Sequence, residues 1–280
     1  MRNVLIVGLG LMGGAYAYRL SKKGYNVYGC DINEKAITYA KEKGYIIDGG
    51  TKPDDYIKKS DIIVLSFYPR NIIDFIKKYN ILFNDKQIIT DLCGIKSSFV
   101  EEATSLAMPA IYCSHHPMAG KEKNGIEYSE QVVFEGANFL VTPTSLTPYS
   151  TIEVINQLGK DLGFSRFSTM SIHRHDEMIG FTSQLTHAIA VSLVNSDHDS
   201  ETKRYIGDSY RDLTRIAMIN ENLWSELFLG NKEYLLAHIK SFEHELDLLK
   251  NAIQNEDKKA LQELFISATK IRKEMEKWKH

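Results

Sequence analysis

The opening stretch, residues 3–31, narrows the fold more than any other. Asn3-Val4-Leu5-Ile6-Val7 is a continuous apolar run, the pattern of a strand buried on both faces. It leads directly into Gly8-Leu9-Gly10-Leu11-Met12-Gly13 and then a helical pattern through Ala15, Ala17 and Leu20. A second strand, Asn26-Val27-Tyr28-Gly29-Cys30, ends at Asp31. Each part suits a dinucleotide. Gly8 permits the tight turn, Gly10 lets backbone approach a pyrophosphate, and Gly13 allows close helix–strand packing. The helix N-terminus at Leu11 and Met12 offers free N–H groups to phosphate oxygens. Asp31, 23 positions after Gly8, can accept both ribose hydroxyls, and no arginine follows it to meet a 2′-phosphate. The cofactor this favours is NAD rather than NADP.

Strand and helix patterns then alternate. Strands are expected at 45–48, 61–65, 87–90 and 110–113, with helices at 54–59, 71–79 and 100–106. Such alternation means a Rossmann-type, doubly wound parallel sheet whose ligands bind outside the carboxyl ends of its strands. The glycine turn, Asp31, and the loops 66–69, 91–96 and 115–120 all fall at those ends. Ser66, Pro69, Asp91 and Gly94 therefore join Gly8, Gly10, Leu11, Met12, Gly13 and Asp31 as expected cofactor contacts. Strands at 138–141 and 164–169, with a helix at 149–162, are expected to close the sheet. His115 and His116 follow the 110–113 strand and precede a proline. Both are candidates for a catalytic base, since imidazole titrates near neutrality.

Composition excludes several partners. The net charge is −2, from 34 Lys+Arg against 36 Asp+Glu, which argues against a general nucleic-acid binder. Cys30, Cys93 and Cys113 have no metal-site spacing and read as free thiols of a reducing cytosol. A first strand starting at residue 3 leaves no room for a signal peptide. The apolar tract at 179–194 is broken by Gln184, Thr186 and His187, so no membrane span is expected. These features predict a soluble, cytoplasmic protein without nucleic-acid or membrane partners.

From Ser171 the strand signals stop. A length of 280 residues favours two domains, here 1–170 for the sheet and 171–280 for an all-helical domain. Helices are expected near 177–195, 205–218, 222–229, 232–255 and 257–278. Leu235, Ile239, Phe242, Leu246, Leu249 and Ile253 form a continuous apolar seam on the fourth. Helices this long in a small domain suggest a homodimer formed through them. Ser183 and His187 lie one turn apart on one helix face. A lone histidine on an apolar face is more often a core residue, and Arg211-Asp212 with Arg215 reads on its own as a solvated face. Trp224 by default is core.

Three further motifs carry a resemblance over nearly the whole chain. They are His116-Pro117-Met118-Ala119-Gly120 with Glu122 and Gly125, His175-Asp176 with His187 twelve residues after His175, and Arg211-Asp212-Leu213-Thr214-Arg215-Ile216-Ala217 with Trp224. Together they resemble the prephenate/arogenate dehydrogenase family. The resemblance implies a Rossmann domain followed by an all-α dimerisation domain. It also implies NAD-dependent oxidative decarboxylation of prephenate to 4-hydroxyphenylpyruvate in tyrosine biosynthesis, or of arogenate to tyrosine. It makes His116 the proton acceptor for the substrate hydroxyl, and Arg215 the group that grips a substrate carboxylate. His187 and Ser183 become contacts to the substrate, with Glu122 steering entry.

The chain departs from the family at two places. Gly94 stands where many relatives have a serine bonded to the catalytic histidine, which leaves His116 in need of another partner. Ser183-Gln184-Leu185-Thr186-His187 has lost one histidine and a proline of the usual helix. β-Hydroxyacid dehydrogenases share the glycine turn, but their catalytic lysine has no counterpart between Gly180 and Asn195.

Overall fold

The structure is a computed structural model and describes residues 2–121 and 123–277. The chain forms two compact units, one ending at Asn231 and the other beginning at Lys232.

The first unit is built on six parallel strands: β1 (Asn3–Val7), β2 (Asn26–Cys30), β3 (Asp48–Gly50), β4 (Ile62–Leu65), β5 (Ile88–Asp91) and β6 (Ile111–Tyr112). Their spatial order is β3-β2-β1-β4-β5-β6. The apolar runs are explained by two cores, one on each face of the sheet. Val4 and Ile6 of β1 belong to one, Leu5 and Val7 to the other, as the period of two along a strand requires. Helices Leu11–Lys22, Glu34–Glu42, Asp54–Lys59, Pro69–Tyr79 and Val100–Leu106 supply the connections. The third strand lies later than its expected place, because Tyr45 and Ile46 are buried in the core below the sheet edge. Gly49 takes the strand position instead, where a Cβ would stand 2.2 Å from the Gly29 carbonyl oxygen.

The expected closure of this sheet does not occur. Strands β7 (Ser114–Pro117), β8 (Asn138–Thr142) and β9 (Arg166–Thr169) form a separate sheet of three. The break falls at Cys113, whose N–H still donates to the Ile89 carbonyl of the first sheet. One residue later the chain pairs antiparallel with β8, placing His115 opposite Val141 and His116 opposite Leu140. The two histidines thus sit on a strand and not in a loop.

After β9 the first unit is helical. Ser171 caps a helix that starts at Ile172, earlier than expected, by accepting the Arg174 N–H. His175 and Asp176 consequently lie inside the helix. It runs to Ile179, widens into a π turn over Gly180–Gln184 and continues as Leu185–Asn195. Helix Asp208–Thr214, a tight turn at Arg215–Ala217, and helix Glu221–Gly230 complete the unit.

The second unit is a hairpin of two helices, Lys232–Gln254 and Lys258–Lys277. Glu256 turns the corner with a left-handed φ of 52°, and Asp257 caps the next helix by accepting the Ala260 N–H. Leu246, Ile253, Phe265, Ile266 and Ile271 are exposed on it. Trp278, expected at the end of the last helix, lies outside the described residues. Among the described residues no helix is long and apolar enough to cross a membrane.

Gly13 shows how tightly the first turn is built, since a Cβ there would lie 1.8 Å from the Gly8 carbonyl oxygen. Gly13→Ala must push the helix from the turn and should cost about 1–3 kcal/mol, the usual penalty for overpacking. Urea unfolding of the variant against wild type measures this, and equal midpoints would contradict the packing argument.

Candidate active site

The carboxyl ends of the first sheet converge as the strand order demands. Gly8 adopts a left-handed φ of 95° and its N–H donates to the Cys30 carbonyl, tying the glycine turn to β2. Asp31 accepts the Leu9 N–H at 2.6 Å on one oxygen and the Asn33 N–H at 2.8 Å on the other. Its carboxylate is therefore fixed at the rim while keeping lone pairs for a further donor. Around Gly10 nothing lies within 4 Å of an ideal Cβ, and no side chain caps the helix beginning at Leu11. That open, uncapped N-terminus, with no acidic residue in its first turn, fits a phosphate group. Ser66 is half-buried, and Pro69 helps line a cleft with Tyr68, Ile95, Phe99 and Glu226.

Asp91, expected among the cofactor contacts, does something else. Its side chain and that of Lys96 are both 0% exposed and form an ion pair of 2.8 Å. The Asp91 carboxylate also accepts the Tyr112 hydroxyl at 2.7 Å and the Cys93 N–H at 2.9 Å. Burial, the largest single influence, would raise this carboxyl, but the charge and hydrogen bond of Lys96 together with the Tyr112 hydroxyl hold the pKa below the usual range. Lys96 Nζ donates in addition to the His115 carbonyl at 2.8 Å. The position of β7 is set by this buried cation.

The two histidines diverge. His115 is fully buried, with its ring nitrogens paired to the Tyr16 hydroxyl at 2.9 Å and to Thr90 Oγ1 at 2.6 Å. It packs against the Tyr16 and Phe139 rings, and burial with the Lys96 charge pushes its pKa down to about 3. His115 is a neutral core residue, never solvent-facing. His116 is partly exposed, and its Nδ1 lies 3.0 Å from His175 Nε2. His175 Nδ1 in turn lies 2.7 Å from Asp176 Oδ1, both side chains being fully buried. Burial, followed by His175, Lys96 and His115, holds His116 well below the ordinary imidazole pKa. A Cβ on Gly94 would lie 3.7 Å from His116 Cε1 and Nε2, an ordinary contact, so this edge of the ring faces Gly94. The partner that the missing serine leaves wanting is found at the opposite ring nitrogen, in His175.

The helical residues reach the same neighbourhood through one helix. Leu227 of Glu221–Gly230 contacts the Gly94 position beside His116, and Trp224, one turn earlier, stacks on His187 with ring centroids 3.7 Å apart. Trp224 is half-buried and acts as a platform, not a core residue. His187 Nδ1 bonds the Ser183 carbonyl at 2.8 Å, and Ser183 itself is half-buried. Arg215 is exposed in a turn that packs on the His187 helix. Glu122 lies outside the described residues. His175, Asp176 and Lys96 are functional residues to which their sequence context assigns no role. The usable signals were a His-Asp dipeptide just after a Ser cap, and a lysine five residues beyond a strand-terminal aspartate.

This arrangement, a glycine-turn sheet beside a histidine held by a second histidine and a carboxylate, fits the dinucleotide-dependent oxidoreductases as a class. A family model described as the nucleotide-binding domain of prephenate dehydrogenase matches residues 15–166, and one described as its dimerization domain matches residues 171–267. Prephenate dehydrogenase of Lactococcus lactis is 30% identical over 286 residues, spanning 99% of this chain and 78% of its own. That of Bacillus subtilis is 28% identical over 283 residues, spanning 96% and 75%. Among solved structures, prephenate dehydrogenase from Aquifex aeolicus in complex with hydroxyphenyl propionate and NAD+ is 32% identical, with a TM-score of 0.88 over 98% of both chains. The chain belongs to the prephenate/arogenate dehydrogenase family.

Lys96→Met would leave the Asp91 carboxylate buried without its cation. Removing one partner of such a pair costs about 3–5 kcal/mol. The loss should be full at neutral pH and shrink on acidification, because the orphaned carboxyl can then fold protonated. Denaturant midpoints at two pH values test this, and a pH-independent loss would contradict it.

Proposed function

We propose that this protein is an NAD-dependent prephenate dehydrogenase in tyrosine biosynthesis, converting prephenate to 4-hydroxyphenylpyruvate. The observation that carries the reading is His116, on a rim strand, with Nδ1 engaged by His175 and the Nε2 edge facing Gly94. The family membership and the likeness to a relative solved with NAD+ support the cofactor. Gly8, Gly10, Leu11, Met12 and Gly13 would hold the pyrophosphate and Asp31 the ribose. NAD, when bound there, would supply the acceptor for a hydride from the ring carbon that bears the hydroxyl.

His116 takes the hydroxyl proton as the C–O bond gains carbonyl character, and returns it to the oxygen once CO₂ has left and the ring is aromatic. Arg215 grips a substrate carboxylate with its planar guanidinium. His187, held flat by Trp224, and Ser183 meet the substrate's far end. We assign the cofactor domain to residues 1–170 and the substrate and dimerisation domain to 171–280, in a cytoplasmic homodimer. The exposed Phe265, Ile266 and Ile271 of the hairpin support an interface there.

NADH formation with prephenate and with arogenate, measured side by side, tests the reaction. His116→Asn should fold and lose about 10²–10⁴ in kcat, the scale of an acid–base group. Because His116 stays neutral where an ordinary imidazole would be charged, the acid limb of kcat/KM should lie below the usual value of about 6.5. Near-normal turnover in His116→Asn would refute the role, and Arg215→Ala should chiefly raise KM for the substrate. For the dimer, Phe265→Asp should give a monomer in sedimentation equilibrium, and an unchanged mass would refute the interface.

A further inference from the structure

We propose that His175 and Asp176 are positioning residues that fix the tautomer of His116, so that its Nε2 is left as the proton acceptor. The inference rests on the reading of His116 as the base and assigns the device that makes it one. Asp176 is where the argument starts. Its carboxylate accepts the Lys96 N–H at 2.9 and 3.1 Å and the Ser97 N–H at 2.6 Å. Burial would raise its pKa, but the bonds from His175 and Ser97 hold it below the usual range, so it is an anion that can only accept. The nitrogen facing it at 2.7 Å, His175 Nδ1, must therefore carry a proton.

Burial holds His175 below the ordinary imidazole value despite Asp176, so the ring is neutral near pH 7 and its Nε2 is an acceptor. The nitrogen facing that acceptor at 3.0 Å, His116 Nδ1, must then be the donor. A neutral His116 has one proton to place, and with Nδ1 taken its Nε2 is a bare lone pair on the edge that faces Gly94. The opposite tautomer would set a bare His175 Nδ1 against the Asp176 carboxylate, two acceptors 2.7 Å apart. The relay therefore supplies through Nδ1 the orientation that a serine at position 94 would have offered from the other side. The charged and titratable groups facing the relay are Lys96 and Asp91 from the end of β5 and its loop, His115 from β7, and Asp176 itself.

A purely structural role competes with this, since Asp176 also pins the start of its helix to Lys96 and Ser97. Two variants of the full-length protein separate the readings. In Asp176→Asn the amide oxygen can keep the Lys96 and Ser97 bonds while its NH₂ donates to His175 Nδ1, inverting both rings and placing the proton on His116 Nε2. In His175→Gln the amide oxygen still accepts from His116 Nδ1 and preserves the tautomer. The test combines ¹⁵N spectra of histidine-labelled protein, assigned by subtraction of His116→Asn, with pH profiles of prephenate oxidation.

The expected result is Nδ1–H on His116 in wild type and His175→Gln, and Nε2–H in Asp176→Asn. Turnover in Asp176→Asn should fall on the order of 10²-fold or more with KM for NAD unchanged, and His175→Gln should retain more of it. Without His175, which gains a charge of its own as the pH falls and then repels a charged His116, the acid limb of His175→Gln should move up, with burial still holding it below about 6.5. An Nε2–H on His116 in wild type would overturn the proposal. So would variants that lose activity only in step with stability and keep the wild-type limb. Should Asp176→Asn not fold, the wild-type tautomer and the limb of His175→Gln decide alone. Full activity in His116→Asn would instead sink the assignment of the base, whatever the spectra show.

Discussion

A buried lysine holds the functional half of this molecule together. Lys96 reaches back under the sheet to neutralise Asp91 at the end of β5, and the same ammonium binds the carbonyl of His115 on β7. Its backbone N–H meets Asp176 on the first helix after the sheets. One residue thus connects the parallel sheet, the small antiparallel pairing and the helical segment. A buried charge is a poor source of net stability, because desolvation offsets most of the attraction. It is a good source of uniqueness, since an ammonium with no partner in any other arrangement makes those arrangements costly. The geometry around His116 depends on that selectivity.

The adjacent histidines show how a strand divides labour. Neighbouring side chains on a strand point to opposite faces. His115 therefore enters the core between Tyr16 and Phe139, while His116 emerges on the side of Gly94 and His175. The same step in the chain seals one imidazole in the core and leaves the other at the rim. Both are kept neutral by burial, but only one keeps an edge towards the surface.

Much of the cofactor half was legible because its signals are local. Strands β1 and β4 are buried on both faces and read as unbroken apolar runs, and Gly13 meets Gly8 while Asp31 meets Leu9 and Asn33, all inside the first strand–helix–strand unit. What failed to show is what depends on distant partners. Residues 110–117 look like one strand and a loop, yet the chain changes sheets at Cys113, a choice made by Leu140 and Val141 across the gap. Asp91 carries the polarity of a rim residue, and although Lys96 stands five residues on, the spacing alone does not show that it folds beneath the sheet to pair with it. His175 and Asp176 were visible as a motif without a task, because the task lies in a nitrogen 59 positions earlier.

The π turn at Gly180–Gln184 has a geometric effect on those histidines. An α-helix advances about 100° per residue, so side chains twelve positions apart, as His175 and His187 are, would diverge by roughly 120°. A wide turn absorbs one residue, and the interval then behaves as about eleven, close to three complete turns. The irregularity acts as a phase corrector that returns His187, midway along the helical run, close to the helix face of His175 near its start. The helix gives up regular hydrogen bonding over a single turn, at the glycine-led segment best able to tolerate it, and in exchange two imidazoles three turns apart share one helix face.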